Sequence, residues 1–343
     1  MQNSSKGIVD LERLVTEANS PLTNPEMNRT VGATDARFEL YHFALSLCSQ
    51  KVRVCLAEKG ASYVAHDINL QLPLLGNYDP AYVRLRMAAN PDVEFATEYT
   101  GRSSVESEGF DPAVVPTLVD YETRQVVIDS LAICRHIDAA FEGTARLVPT
   151  DLEDGVLHEL NIVDATPHVA IFYGAHPELD FRPEHIRNGM PGVHDRKIAK
   201  IRTARDLVPD DPDLIAAYDA KIAKEEAGKA HVLTPEKMHQ SVVEILRIVE
   251  DLNSRLADGR TWICGNTFTL ADVFWAVSLF RLKWLGMDFA WFGQHELNSN
   301  ESPFVAAYGS RCFKRPAFRS AAIDWPGMPR SEYASDHYRA KDA

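Results

Sequence analysis

Residues 37–59, R-F-E-L-Y-H-F-A-L-S-L-C-S-Q-K-V-R-V-C-L-A-E-K, decide how the first part of the chain folds. Residues 37–43 alternate loosely through aromatic and aliphatic types, as a strand does. A short polar loop follows. Cys48, Val52, Cys55, Leu56 and Lys59 then fall at i, i+4, i+7, i+8 and i+11, a helical stripe that Gly60 ends. Residues 63–68 read as a second strand. Strand, helix and strand within about 30 residues form a βαβ unit, which predicts a parallel pair.

Downstream, residues 114–137 read V-V-P-T-L-V-D-Y-E-T-R-Q-V-V-I-D-S-L-A-I-C-R-H-I. Two strands, 114–120 and 125–128, are separated by 121–124, a spacing that suits a hairpin. Asp129-Ser130 then opens a helix marked by Ser130, Ile133, Cys134, Ile137 and Phe141. Between the two units lies an irregular excursion, 69–113, rich in Pro and Gly, with a helix near 82–87. A loop of that length is usually a lid or a binding element.

From about residue 150 the strand signals stop. Val156, Leu160 and Val163 begin a helix that Pro167 must kink or end. Leu214, Tyr218 and Ile222 mark another, opened by Asp211 and Pro212. Val242, Ile245, Leu246, Val249, Leu252 and Leu256 form the cleanest stripe, and Thr269 with Asp272 forms a capping box for the next helix. The expected architecture is an α/β domain at 37–145 carrying the 69–113 insertion, then an all-α helical domain at 150–325. A mobile extension, 1–36, precedes it and a tail, 326–343, follows.

Composition narrows the function. A chain of 343 residues is long enough for two cores. The formal charge of −13, with no cluster of Lys and Arg, disfavours a nucleic-acid partner. The longest apolar run, 273–280, is far short of the ~20 residues that span a bilayer. The N-terminus has no secretory core, so the cytoplasm is expected. Cys48, Cys55, Cys134, Cys264 and Cys312 are odd in number and scattered, which suits a reducing compartment. The histidine spacings fit no metal site, and no C-x-x-C pair or phosphate-binding Gly loop occurs.

Three markers carry a resemblance: the V-V-P-T-L strand start, the Asp129-Ser130 pair and the F-T-L-A-D helix start at 268–272. With them, residues 37–325 resemble the glutathione S-transferase superfamily, whose first domain is thioredoxin-like and whose second is helical. L-S-L-C-S at 45–49, the insertion T-G-R-S-S-V-E-S-E-G-F-D-P and the segment T-P-H-V-A-I-F-Y-G-A look like the bacterial chlorohydroquinone reductive dehalogenases within it. The β-aryl-etherases share the fold and stay open as an alternative, as does a non-catalytic subunit. The resemblance implies glutathione as co-substrate, no metal, a small aromatic substrate, and a dimer of like or unlike chains.

Candidate site residues follow. Cys48 stands where its helix begins, and the partial positive charge there favours a thiolate; Lys51 and Arg53 follow within two turns. In the resembling dehalogenases the matching cysteine resolves a glutathione–arene conjugate. Ser46 and Ser49 flank it, and serine in related branches donates to a thiolate; helix capping is the structural alternative. Tyr41 lies near the position of the activating phenol of tyrosine-type transferases. The resemblance assigns glutathione binding to Ser49, Lys51, Val115, Pro116, Asp129 and Ser130. It implies a cis Val115–Pro116 bond that lets Val115 pair with the cysteinyl backbone, and a γ-glutamyl grip at Asp129-Ser130, where a helix N-terminus suits a carboxylate. His168 and Tyr173 fall on the helix that borders the substrate pocket in that family; core packing is their alternative.

Overall fold

A computed structural model describes residues 10–20, 27–102, 108–141 and 143–328. The βαβ unit forms as the sequence predicts. Strand β2 (Phe38–His42) pairs in parallel with β3 (Tyr63–Asp67), joined by helix α2 (Leu47–Glu58). The hairpin β4 (Thr117–Asp120) and β5 (Gln125–Ile128) joins the other side of β2 antiparallel. Strand β4 begins after Pro116 and not at Val114, because proline has no N–H for the ladder. The sheet order is β1-β3-β2-β4-β5, with β1 (Arg29–Val31) antiparallel on the far edge of β3.

Period-two alternation divides the sheet between two cores. Phe38 and Leu40 of β2 and Leu118 of β4 face α2 and α4 (Ser130–Ala140). Tyr41 and Val119 face the other way. That second face is covered by α3 (Pro80–Met87) and by α1 (Leu11–Asn19), an element not foreseen. The extension expected to be mobile is corrected here. Leu11, Leu14, Val15 and Ala18 follow a helical stripe and are buried against Tyr41, Ile68, Tyr82, Leu85, Val115 and Val119. Asp10 caps α1 by accepting from the Arg13 N–H at 3.0 Å. Residues 1–9 and 21–26 lie outside the described residues.

Among its described residues, the second domain has only helices as named elements. It holds α5 (Glu153–Ala165), α6 (His168–Tyr173), α7 (Glu184–Gly189), α8 (Val193–Asp206), α9 (Pro212–Val232), α10 (Pro235–Leu256), α11 (Leu270–Trp284), α12 (Phe289–Phe292), α13 (Pro303–Phe313) and α14 (Pro316–Phe318). Pro167 separates α5 from α6, as its missing N–H requires. Helix α11 is buried along nearly its whole length, between α2, α5 and α13. Thr269 and Asp272 close its capping box, and the Asp272 carboxylate also takes the Ile263 N–H and the Tyr308 hydroxyl. The chain then returns to the first domain. Arg315 pairs with Glu58, Trp325 packs on Tyr63 and His42, and Met328, in the expected tail, is buried. Among the described residues no helix is long and apolar enough to cross a membrane.

Candidate active site

The site is built on the loop between β2 and α2. Ser46 caps α2, its hydroxyl accepting from the Ser49 N–H at 3.3 Å. Cys48 therefore lies in the first turn, where backbone N–H groups lack helical acceptors, and it is half-buried. The loop before it is rigid. Ser49 is fully buried and its hydroxyl accepts from the Phe43 N–H at 3.2 Å. Arg53 points back under the loop and donates to His42 Nδ1, Phe43 O, Ala44 O and Ala321 O at 2.8–3.2 Å. Ser49 and Arg53 thus shape the turn. The expectation that Ser49 binds glutathione is corrected by that burial.

Lys51 is corrected for the same reason. Its ammonium is wholly buried, 2.6 Å from Asp164 of α5 and 4.2 Å from the centre of the Phe274 ring. Burial opposes its charge, but Asp164 and then Cys48 more than offset this and hold it above the usual lysine range. Lys51 fastens the two domains together beside the thiol. His168 is next to this pair, 3 % exposed and sharing a 2.7 Å hydrogen bond with Ser278 Oγ on α11. Burial, then the Lys51 and Arg281 charges, push its imidazole down to about 3. It is a neutral, buried histidine whose Nε2 is taken up by Ser278, in keeping with the core-packing alternative.

The other wall of the candidate site comes from the turn before β4 and the start of α4. The Val115–Pro116 bond is cis. Buried Arg86 donates to Pro116 O at 2.6 Å and to Asp111 O at 2.8 Å, and Tyr82 donates to Val114 O at 2.7 Å, so this turn is braced from behind. Asp129 caps α4, its carboxylate accepting from Leu131 and Ala132 at 2.9 and 3.1 Å. Its φ of 69° is one that residues with a Cβ rarely adopt, and such backbone persists where the surroundings over-determine it. The Ser130 side chain is buried and makes no hydrogen bond among the described residues. A capped helix end with an unspent hydroxyl fits a carboxylate.

Tyr41 is on the wrong side of the sheet for this site. Its hydroxyl donates to Asn19 of α1 at 2.8 Å, and its ring stacks on His66 at 4.7 Å. Burial above all, then the Glu39 charge, raises its phenol well beyond the usual range. Phe38 and Leu40 face α2, so the strand's two-residue period points Tyr41 to the opposite core.

Tyr173 ends α6, half-buried, with Lys197 3.9 Å from its ring centre. Helix α6 is set by the excursion: Gly101 O accepts from Val169 and Ala170 at 3.0 and 3.1 Å. Gly101 has φ +80°, and a Cβ there would lie 2.7 Å from that of Ala170. The excursion is no loose flap. Lys221 and Lys224 of α9 make buried ion pairs with Asp111 and Glu108 at 2.7 Å each. Sequence reasoning missed Arg281, whose guanidinium reaches across from α11 to the Leu45 carbonyl and lies in the field of Cys48 and Tyr173. Its signal was present: a lone cation within the stretch 273–282, which is otherwise apolar but for Ser278. Among the described residues no group of three or more His, Cys, Asp or Glu could hold a metal ion.

Comparison with known proteins agrees with this fold. The glutathione S-transferase N-terminal domain family matches residues 45–140, and the C-terminal domain family matches 216–308. A 2,5-dichlorohydroquinone reductive dechlorinase of Sphingobium indicum is 43% identical over 312 residues, covering 90% of this chain and 89% of that protein. A tetrachloro-p-hydroquinone reductive dehalogenase of Sphingobium chlorophenolicum is 25% identical, covering 84% and 97%. The crystal structure of a beta-etherase from Sphingobium sp. strain SYK-6 superposes with a TM-score of 0.52 at 16% identity, covering 83% and 98%, and shares the fold. With both of its domains matched in order and 90% of its length aligned to a relative at that identity, the chain belongs to the glutathione S-transferase family.

Proposed function

We propose that this protein is a glutathione-dependent reductive dehalogenase that removes chloride from a chlorinated hydroquinone. The observation that carries the reading is a half-buried thiol in the first turn of α2, in the field of the buried Arg281 cation, in a chain 43% identical to a dechlorinase of that class. Val115, Pro116, Asp129 and Ser130 would hold glutathione, which is consumed here as a substrate. Its sulfur replaces chloride on the ring, giving an aryl thioether and chloride ion. Cys48 then attacks the thioether sulfur. The carbon–sulfur bond breaks, its electron pair stays with the ring carbon, which takes a proton, and Cys48 is left in a mixed disulfide. Exchange with a second glutathione restores the thiolate. Carbon gains two electrons and two thiols become one disulfide, so the scheme balances.

Ser46 enters this reading as the cap that holds Cys48 in the first turn. The setting proposed is the cytoplasm, where glutathione is kept reduced, and the assembly proposed is a dimer, testable by sedimentation. The main test incubates the protein with glutathione and 2,5-dichlorohydroquinone and measures chloride and oxidised glutathione. Equal yields of both are expected, and Cys48→Ser should accumulate the aryl thioether. Phenol release from a β-aryl ether without any chloride would overturn the reading, as would undiminished hydroquinone release by the serine variant.

A further inference from the structure

One cation beside Cys48 has no carboxylate counterpart among the described residues. Arg281 is 6 % exposed, and its guanidinium carries five N–H donors. Among the described residues it bonds only the Leu45 carbonyl and pairs with no carboxylate. The acids in its field are the Cys48 thiol and the Tyr173 phenol, and neither is a carboxylate. Lys51 is matched by Asp164, and His168 is neutral. Buried charges are normally paired, because an unpaired ion loses its hydration with nothing in return.

What surrounds Arg281 instead is aromatic. Its guanidinium carbon lies 4.7 Å from the ring centre of Trp284 and 5.9 Å from that of Phe172. Those two rings are stacked, 5.9 Å apart and inclined by 24°. The Trp284 indole N–H is buried and has no acceptor among the described residues. Tyr173 adjoins Phe172, edge to face at 4.8 Å. A cation with spare donors, an indole without an acceptor and flat apolar walls suit a flat ring bearing a negative oxygen.

We propose that Arg281, with the Phe172–Trp284 wall, holds an ionised ring hydroxyl of the aromatic substrate, so that the protein selects halogenated phenols and hydroquinones over their ethers. The inference rests on the aromatic substrate class proposed above and adds the group by which it is chosen. It also gives a direction to turnover. Ring halogens acidify a phenol, so the substrate is held as an anion more readily than the dehalogenated product, which leaves.

The test measures binding without turnover. Full-length protein, free of glutathione and under argon, is titrated by calorimetry with 2,5-dichlorohydroquinone and with its dimethyl ether. The hydroquinone should bind about tenfold or more tightly than the ether. Arg281→Gln should bring the two within about twofold, and Arg281→Lys should retain part of the preference. Melting curves establish that each variant is folded. Equal binding of phenol and ether by the wild type, binding of neither, or discrimination that survives Arg281→Gln would each overturn the inference. Should the preference hold while the chloride assay fails, the reaction assigned above falls and this subsite stands.

Discussion

Arg53 and Arg281 grip neighbouring carbonyls of one short loop, Phe43 and Ala44 from below and Leu45 from across the domain boundary. Both are buried, and burial lowers each to about 10, so both stay charged at neutral pH. They differ in what remains unspent. Arg53 has four acceptors and a Trp325 ring 4.8 Å from its guanidinium carbon. Arg281 has one carbonyl and two aromatic faces. A buried cation saturated by the chain supports the fold; one left short of acceptors is available to a ligand.

Replacing Arg53 should therefore have the largest effect on stability. Arg53→Met strands buried carbonyls and the His42 nitrogen, and a loss of about 3–5 kcal/mol is expected in urea unfolding. A loss below about 1 kcal/mol would erase the contrast between the two arginines. Next comes acid sensitivity through His168. Its imidazole is held at about 3, against 6.5 when free. The unfolded chain binds that proton first, so the stabilisation is complete above 6.5 and is lost as pH falls through 6.5 toward 3. Unfolding midpoints should show roughly 3 kcal/mol lost between pH 7 and pH 4, and His168→Gln should flatten that part of the slope. An unchanged acid slope in the variant would count against the neutral assignment.

Tyr41→Phe tests the other face of the sheet. It removes the bond to Asn19 and should cost about 1 kcal/mol, with chloride release unaltered. A collapse of turnover would return Tyr41 to the site. Smallest of all, Arg281→Met should change stability by less than about 1 kcal/mol, or raise it, since a desolvated charge with no carboxylate partner among the described residues is removed. A large destabilisation would make Arg281 a second Arg53.

The backbone plan was legible because periodicity and turn residues act locally. The stripe from Cys48 to Lys59, the 121–124 hairpin and the Thr269–Asp272 box each declare themselves within a dozen residues or so. Helix α1 was legible in principle, since Leu11, Leu14, Val15 and Ala18 form a stripe, but the polar composition around it outweighed the pattern. Side-chain direction was the harder matter. Nothing in the sequence says that Lys51 turns to Asp164, or Ser49 to Phe43, because those partners are set by packing across distant segments. Arg86 was invisible for the same reason, lying far along the chain from the proline turn it braces. Asp129-Ser130 was readable because a helix start announces itself.

The chain's return to its first domain near residues 315–328 bears on how the protein can be dissected. Ala321 supplies one of Arg53's acceptors, Glu58 at the end of α2 is tied to Arg315, and Trp325 roofs Tyr63. The reactive helix is thus completed by residues from the opposite terminus, like an arch closed by its last stone. An excised fragment of residues 37–145 would contain the thiol and the cis-proline turn yet lack the stone, and a protease cut ahead of Arg315 would loosen the helix that carries Cys48 from a distance.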